Sequence, residues 1–469
     1  MAARKWLGGG LLLFVALLQV HAQDTNPLVV IRGGTLIDGT GAAAHENTVI
    51  FIRAGVIEAV GSDSKVPEGT REIDAKGKYI IPGLLDARVR IGPTPGNHVS
   101  RKEISIEQRL DSLRALLTAG ITTARLIQGS LTEQKLYQRW DKEDLLTSPT
   151  IIASGPLFTG KNGHPIEEYS LLAQEALDRE TRQIGDDDQA REKAREVAHA
   201  GAESFEIVYD EGPEGNRKPR LDKSALQVLL AEADGHGLAV FCEVGSDNEA
   251  AEAAAAGAKT IEGVWDEPFS AETLSLLAKQ QVIFVPALTL QGDLLNLIEE
   301  KELKAYLDDP LVQQSLSTVM KQSLASTSGM IARVRRNLDS DAGKVNRQKL
   351  VDQQERAFAN VQKAKETGIR IAVGTGAGSL LVFPGASVHR ELQLLVQAGL
   401  TPMEAIVAAT RNTAASLGRD TEVGTIEAGK KANLMILDQD PLVDIRNTQK
   451  VSEVIRDGRE IRWEDNAPR

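Results

Sequence analysis

Residues 81–92 read Ile-Pro-Gly-Leu-Leu-Asp-Ala-Arg-Val-Arg-Ile-Gly. The stretch falls within an apolar strand candidate over residues 79–90, and side chains along a strand alternate between its two faces. Arg88 and Arg90 therefore share one face of a segment that otherwise reads as buried. Their guanidinium groups are permanent cations with no lone pair to offer a metal ion. A buried strand of this kind needs partners for its charge as well as for its backbone.

Apolar strand candidates recur downstream at 121–127, 149–154, 204–209, 238–243, 259–264, 282–287 and 369–374. Helical patterns lie between them at 104–118, 187–200, 223–234, 247–256 and 271–279, with a long stretch within 300–366. Eight strands alternating with helices over about 330 residues predict an α/β fold, a (β/α)8 TIM barrel. Thr401-Pro402-Met403-Glu404 is a helix start with threonine as N-cap, proline at N1 and glutamate at N3, and its helix runs to about Leu417. Residues 294–365 are polar and longer than one barrel helix requires, and read as a helical insertion at the barrel mouth. Upstream, residues 28–32, 49–52 and 56–60 are strand candidates, and 434–437 and 451–455 return to that pattern near the other end. The expected organisation is a small β-sandwich domain from residues 23–82 and 420–469 around a barrel over 83–419.

The chain has 469 residues, 42% hydrophobic and 26% charged, as a soluble globular protein does. Its formal net charge is −12 and no basic block interleaves with aromatics, which excludes nucleic-acid binding as a reading. Residues 1–22 read as a signal peptide: Arg4 and Lys5, then an apolar run over 7–18, then Val20-His21-Ala22. The run falls short of the roughly 20 residues a span needs, so no stable membrane span is expected after cleavage and the mature chain is expected to be periplasmic or secreted. The single cysteine, Cys242, rules out an intrachain disulfide and a Cys-rich metal site. An unidentified small molecule, a protein or a second copy of the chain remain as partners.

The most specific segments are C-terminal: His389-Arg390-Glu391-Leu392, Ala398-Gly399-Leu400-Thr401-Pro402-Met403-Glu404-Ala405, Gly424-Thr425-Ile426-Glu427 and Asp440-Pro441-Leu442. On these, and on the Pro-Gly-Leu-Leu-Asp run, the chain resembles the amidohydrolase superfamily, in its imidazolonepropionase-like and prolidase-like branch, from about residue 28 to 460. The resemblance implies hydrolysis of non-peptide C–N bonds with one or two divalent metals, typically zinc. It places their ligands at a His-x-His on strand 1, a carboxylated lysine on strand 4, histidines on strands 5 and 6, and an aspartate at the end of strand 8. This chain carries Arg88 and Arg90, Glu206, Phe241, Gly263 and Gly376 at those former metal-site positions.

Only Glu206, and Glu243 two residues beyond Phe241 on the same strand face, keep a group able to ligate. No pair of histidines has metal-ligand spacing. The expectations are therefore no bound cofactor, no metal, and loss of metal-dependent hydrolysis: a pseudoenzyme with a charged Arg/Glu barrel centre. Two alternatives stay open. The chain is an active hydrolase or a small-anion-binding protein using Arg88, Arg90, Glu206 and Glu243, with His164 of Gly163-His164-Pro165 as a further candidate ligand-binding residue; or it is a non-catalytic scaffold. His389 reads as structural.

Overall fold

The computed structural model describes residues 28–62, 65–91, 105–166, 174–212, 216–263, 267–295, 300–316, 321, 341–379 and 381–461. The signal-peptide segment lies outside these residues. Eight barrel strands follow in chain order: Leu84–Val89, Ile121–Ile127, Thr150–Gly155, Ser204–Val208, Ala239–Val244, Thr260–Gly263, Ile283–Val285 and the short Arg370–Ile371. All pair in parallel. Continuity between the third and fourth comes from the Glu203 N–H donating to the Ala153 carbonyl at 2.7 Å, and between the eighth and first from Ala87 N–H to Val373 at 3.0 Å and the Val89–Ala377 bridge. Near-continuous apolar runs suit strands covered on both faces.

Buried Asp86 ties this last seam. Its carboxylate accepts from the Arg88 N–H at 3.0 Å, the Thr375 N–H at 3.0 Å and the Thr375 hydroxyl at 2.6 Å. Burial nonetheless pushes it up to about 6 against those bonds.

The helix start at residue 401 forms a full capping box, with Pro402 in the first turn. Its helix does not run uniformly to residue 417. Pro402–Val407 gives way to a π turn over Ala408–Asn412 before Thr413–Ser416. Thr413 donates its hydroxyl to the Ala408 carbonyl at 2.6 Å and accepts from the Val373 N–H at 2.9 Å, so this helix braces the eighth strand. The helix Leu131–Lys142 has no counterpart in the sequence-based expectation. Its core-facing position is filled by buried Gln134, bonded to the Gln128 carbonyl and the Gly155 N–H, which breaks the apolar stripe.

Strands from both chain ends form a separate sheet, in the order Arg459–Glu460, Val451–Arg456, Leu434–Leu437, Tyr79–Pro82, Val29–Leu36, His45–Arg53, Val56–Ser62, with Arg71–Asp74 also on Val29–Leu36. Antiparallel pairing of Tyr79–Pro82 with Leu434–Leu437 joins the two ends directly beside the first barrel strand. Ile31, Ile50, Ile80, Leu434 and Ile436 fill the core of this sheet. In the insertion, Glu300–Leu307 and Pro310–Ser315 pack an apolar cluster of Leu303, Val312 and Leu316 onto Leu381 and Phe383, beyond the eighth strand.

Candidate functional site

Inside the barrel the first, second, fourth, fifth and sixth strands each direct one charged side chain to the centre. Arg88 donates to Glu262 Oε2 at 2.6 Å and to Glu243 Oε2 at 2.5 Å. Arg125 donates to Glu206 Oε2 at 2.7 Å, to the Ser204 hydroxyl at 2.9 Å, and to the Ala87 and Phe205 carbonyls at 3.1 and 2.9 Å. Its guanidinium also lies 3.9 Å from the centroid of the Phe241 ring, a cation–π contact. Side-chain exposure is 1% for Arg88 and Glu206, 0% for Arg125 and Glu262, and 10% for Glu243.

Two guanidiniums and three carboxyls share this volume, and the excess carboxyl settles its own charge. Burial, then Glu206, push Glu262 up to about 8, against the pull of Arg88 and Arg125. The shift favours the protonated form of Glu262. Burial acts against charge on Glu243 as well, but Arg88 and then Arg90 and His164 outweigh it and hold Glu243 below the ordinary carboxylate range. For Arg88, burial is outweighed by Glu243, Glu262 and Glu206, so its proton is held more tightly than usual.

The structure brings Arg88, Glu206 and Glu243 together, with Phe241 beneath Arg125. Arg90 does not enter that bonding: the strand ends at Val89, and the half-buried Arg90 side chain reaches Ser379 Oγ at 3.3 Å. Gly263 closes the sixth strand with φ 95°, and Gly376 sits beyond the eighth with φ 69° and its N–H on the Arg88 carbonyl at 2.8 Å. Arg125 and Glu262 escaped the sequence reading. The signal was a lone charge inside Thr-Thr-Ala-Arg-Leu-Ile and inside Thr-Ile-Glu-Gly, apolar strands in which a charge must be paired.

The inherited centre does not fit a metal. Arg88 occupies it and engages two carboxyl groups, the Phe241 ring carries no donor atom, and at Gly376 a Cβ would already overlap Leu290. At the barrel mouth the donor chemistry differs. His164 follows the short strand Leu157–Gly160, Asp210 lies two residues past the fourth barrel strand and Glu243 near the end of the fifth; ligand atoms of the three lie within 4.8 Å of one another. One imidazole and two carboxylates are a chemically competent set for a divalent ion. Burial first, then Glu249 and Glu243, push Asp210 up to about 7, opposed by the Gly212 N–H and His164.

His389 is fully buried between the Thr448 hydroxyl at 3.0 Å and the Ala119 carbonyl at 2.9 Å, and burial lowers it to about 4. It is a neutral structural link from its helix to the terminal region.

Comparison with known proteins agrees with the architecture. The sequence pattern of the amidohydrolase family matches residues 79–461. Imidazolonepropionase from Alkaliphilus oremlandii (strain OhILAs) is 24% identical over 435 residues, covering 90% of this chain and 89% of that protein. Ochratoxinase from Aspergillus niger is 36% identical over 109 residues, 23% of this chain and 21% of its own length. The crystal structure of A. niger ochratoxinase superposes with a TM-score of 0.71 at 20% identity, covering 93% of this chain and 95% of the other. A Xaa-Pro dipeptidase with methionine in its active site superposes at 0.73 and 20% identity, covering 92% and 99%. These findings correct the expectation of no metal and no cofactor: members of the family typically bind divalent metals, and His164, Asp210 and Glu243 supply a candidate ligand group. Sequence spacing missed it because the three residues come from different strand ends and meet only through the fold. The chain belongs to the amidohydrolase family.

Proposed function

We propose that this protein is an amidohydrolase-related barrel in which hydrolysis through the inherited metal centre has been lost and the centre has become a structural charge network. The observation that carries the reading is Arg88, buried where the family's strand 1 ligands lie and bonded to Glu243 and Glu262 at 2.5 and 2.6 Å. A guanidinium cannot ligate, and a permanent cation at that point repels a second one. The strand 8 aspartate that would act as general base is Gly376, so proton abstraction there has no group to perform it. The proposal also takes the chain as exported, on the pattern of residues 1–22, and leaves its partner as a small molecule, a protein or a second copy.

The test is turnover of N-acyl amino acids, Xaa-Pro dipeptides and imidazolone propionate by the purified protein with zinc, manganese or cobalt added. No turnover above background is expected. Metal-dependent hydrolysis that survives His164→Ala and Asp210→Asn would overturn the proposal, since it would have to come from the centre.

A second reading rests on the mouth group: weak hydrolysis assisted by His164, Asp210 and Glu243, which that pair of variants would abolish. A small-anion site would have to be built on Arg90, because both terminal nitrogens of Arg88 are engaged by glutamate carboxyl groups.

A further inference from the structure

We infer that His164, Asp210 and Glu243 form a divalent-cation site at the barrel mouth, sharing Glu243 with the Arg88 network and suited to a first-row transition ion such as Zn2+ or Mn2+. The three donors arise from three successive strand ends, on the face where the barrel strands finish, and their ligand atoms already lie within 4.8 Å of one another. Metal bonds of about 2.0–2.2 Å put tetrahedral ligand atoms about 3.4 Å apart, so side-chain rotations of about 1 Å complete the site. Three protein ligands leave a position open for water or a substrate atom.

Two further observations point to a ligand. The first is the oxygens. Among the described residues, Asp210 Oδ1 accepts from the Gly212 N–H at 2.7 Å and Glu243 Oε2 from Arg88 at 2.5 Å, while the second oxygen of each accepts no hydrogen bond. Asp210 also has no lysine or arginine within ion-pair distance among those residues. Nearby Glu249 is engaged differently: it caps its own helix, accepting from the Gly245, Ser246 and Glu211 N–H groups. It is thereby committed to the backbone.

The second observation is a cradle kept clear by two glycines. A Cβ on Gly245 would stand 2.8 Å from Asp210 Oδ1, and one on Gly212 would stand 3.0 Å from His164 Nδ1. Any larger residue at either place displaces a donor. The imidazole favours zinc and its late-transition neighbours over Mg2+ and Ca2+, which prefer all-oxygen sets, while the two carboxylates also suit Mn2+.

The experiment is titration of the metal-stripped full chain with ZnCl2 or MnCl2 by calorimetry, with the visible absorption of added Co2+ as an independent signature of coordination. One equivalent should bind, and His164→Ala and Asp210→Asn should each weaken binding at least 30-fold while circular dichroism stays native. Gly245→Ala retains every donor and is expected to weaken binding about tenfold by displacing Asp210. The surface pair His199 and His236, with ring centroids 5.3 Å apart, is the competing place for a stray ion. The double variant His199→Ala/His236→Ala should leave the one-equivalent site unchanged. Absence of stoichiometric binding, indifference to His164→Ala and Asp210→Asn, or loss of binding in the His199/His236 variant would each overturn the inference. None of these results bears on the centre filled by Arg88, which the substrate panel tests separately.

Discussion

Replacing Arg88 by methionine is the sharpest probe of the barrel centre. The guanidinium makes two charge-assisted bonds, to Glu262 and Glu243, at 1% exposure. Each such bond is worth about 1.5–3 kcal/mol, and breaking a buried pair by removing one partner costs about 3–5 kcal/mol. The two routes converge on a loss of about 4 kcal/mol, because methionine fills volume but leaves two carboxyls without a cation. The loss should depend on pH with a definite sign. In the native protein Glu243 is held below its unfolded value, so its contribution is present above that value and disappears as pH falls through the folded one. Without Arg88, burial dominates, its folded value rises above the unfolded one, and it costs stability once the pH exceeds it. The gap between the proteins should therefore be widest near pH 8 and narrow towards pH 4. Urea midpoints followed by circular dichroism at several pH values measure it. Arg88→Lys, which keeps one charge but not the fork, should lose about half as much. A gap under about 1 kcal/mol, or one that does not change with pH, would refute the paired-centre argument.

Three more outcomes are expected. Glu262→Gln should flatten a slope in stability: a folded value near 8 means the folded state holds a proton that the unfolded state releases above about 4.5, so the native protein weakens as pH rises from 5 to 8 and the glutamine variant weakens less, by denaturant midpoint. Gly376→Asp restores the family's aspartate in name only; its φ of 69° costs a non-glycine residue about 1–2 kcal/mol before the overlap with Leu290, so calorimetry should give a lower Tm and assays no gain in hydrolysis. His389→Asn should remove acid sensitivity between about pH 6.5 and 4, where the unfolded histidine takes up a proton that the folded one refuses, while losing about 1–3 kcal/mol at pH 7 through its buried bonds.

Much of this molecule is legible from its chain because alternation, helix caps and turn residues are local. The second to sixth strands lie within a residue or two of where apolar runs place them; the 79–90 run divides into Tyr79–Pro82, in the terminal sheet, and Leu84–Val89, the first barrel strand, and the seventh and eighth are shorter, their ends bonded without regular pairing. What escaped was set by partners far away in sequence. Arg90 shares a formal face with Arg88, yet the strand stops at Val89 and its side chain turns to Ser379. Arg125 and Glu262 lie outside the positions that the resemblance assigns to metal ligands, so attention to those positions alone passed over two of the five charged residues. His164, Asp210 and Glu243 are meaningless as a spacing and become a group only when three strand ends are side by side.

The distances along the chain carry one more consequence, for rates. Arg88 is 174 residues from Glu262 and 155 from Glu243, and Arg125 is 81 from Glu206. Closing such loops is entropically costly before any contact rewards it. Bonds across such long separations are expected to form late, after the folding transition state. Weakening them should then leave the refolding rate almost untouched and speed unfolding by nearly the whole loss in stability. On that expectation the charged centre would act as a latch, lengthening the lifetime of a barrel that has already found its shape.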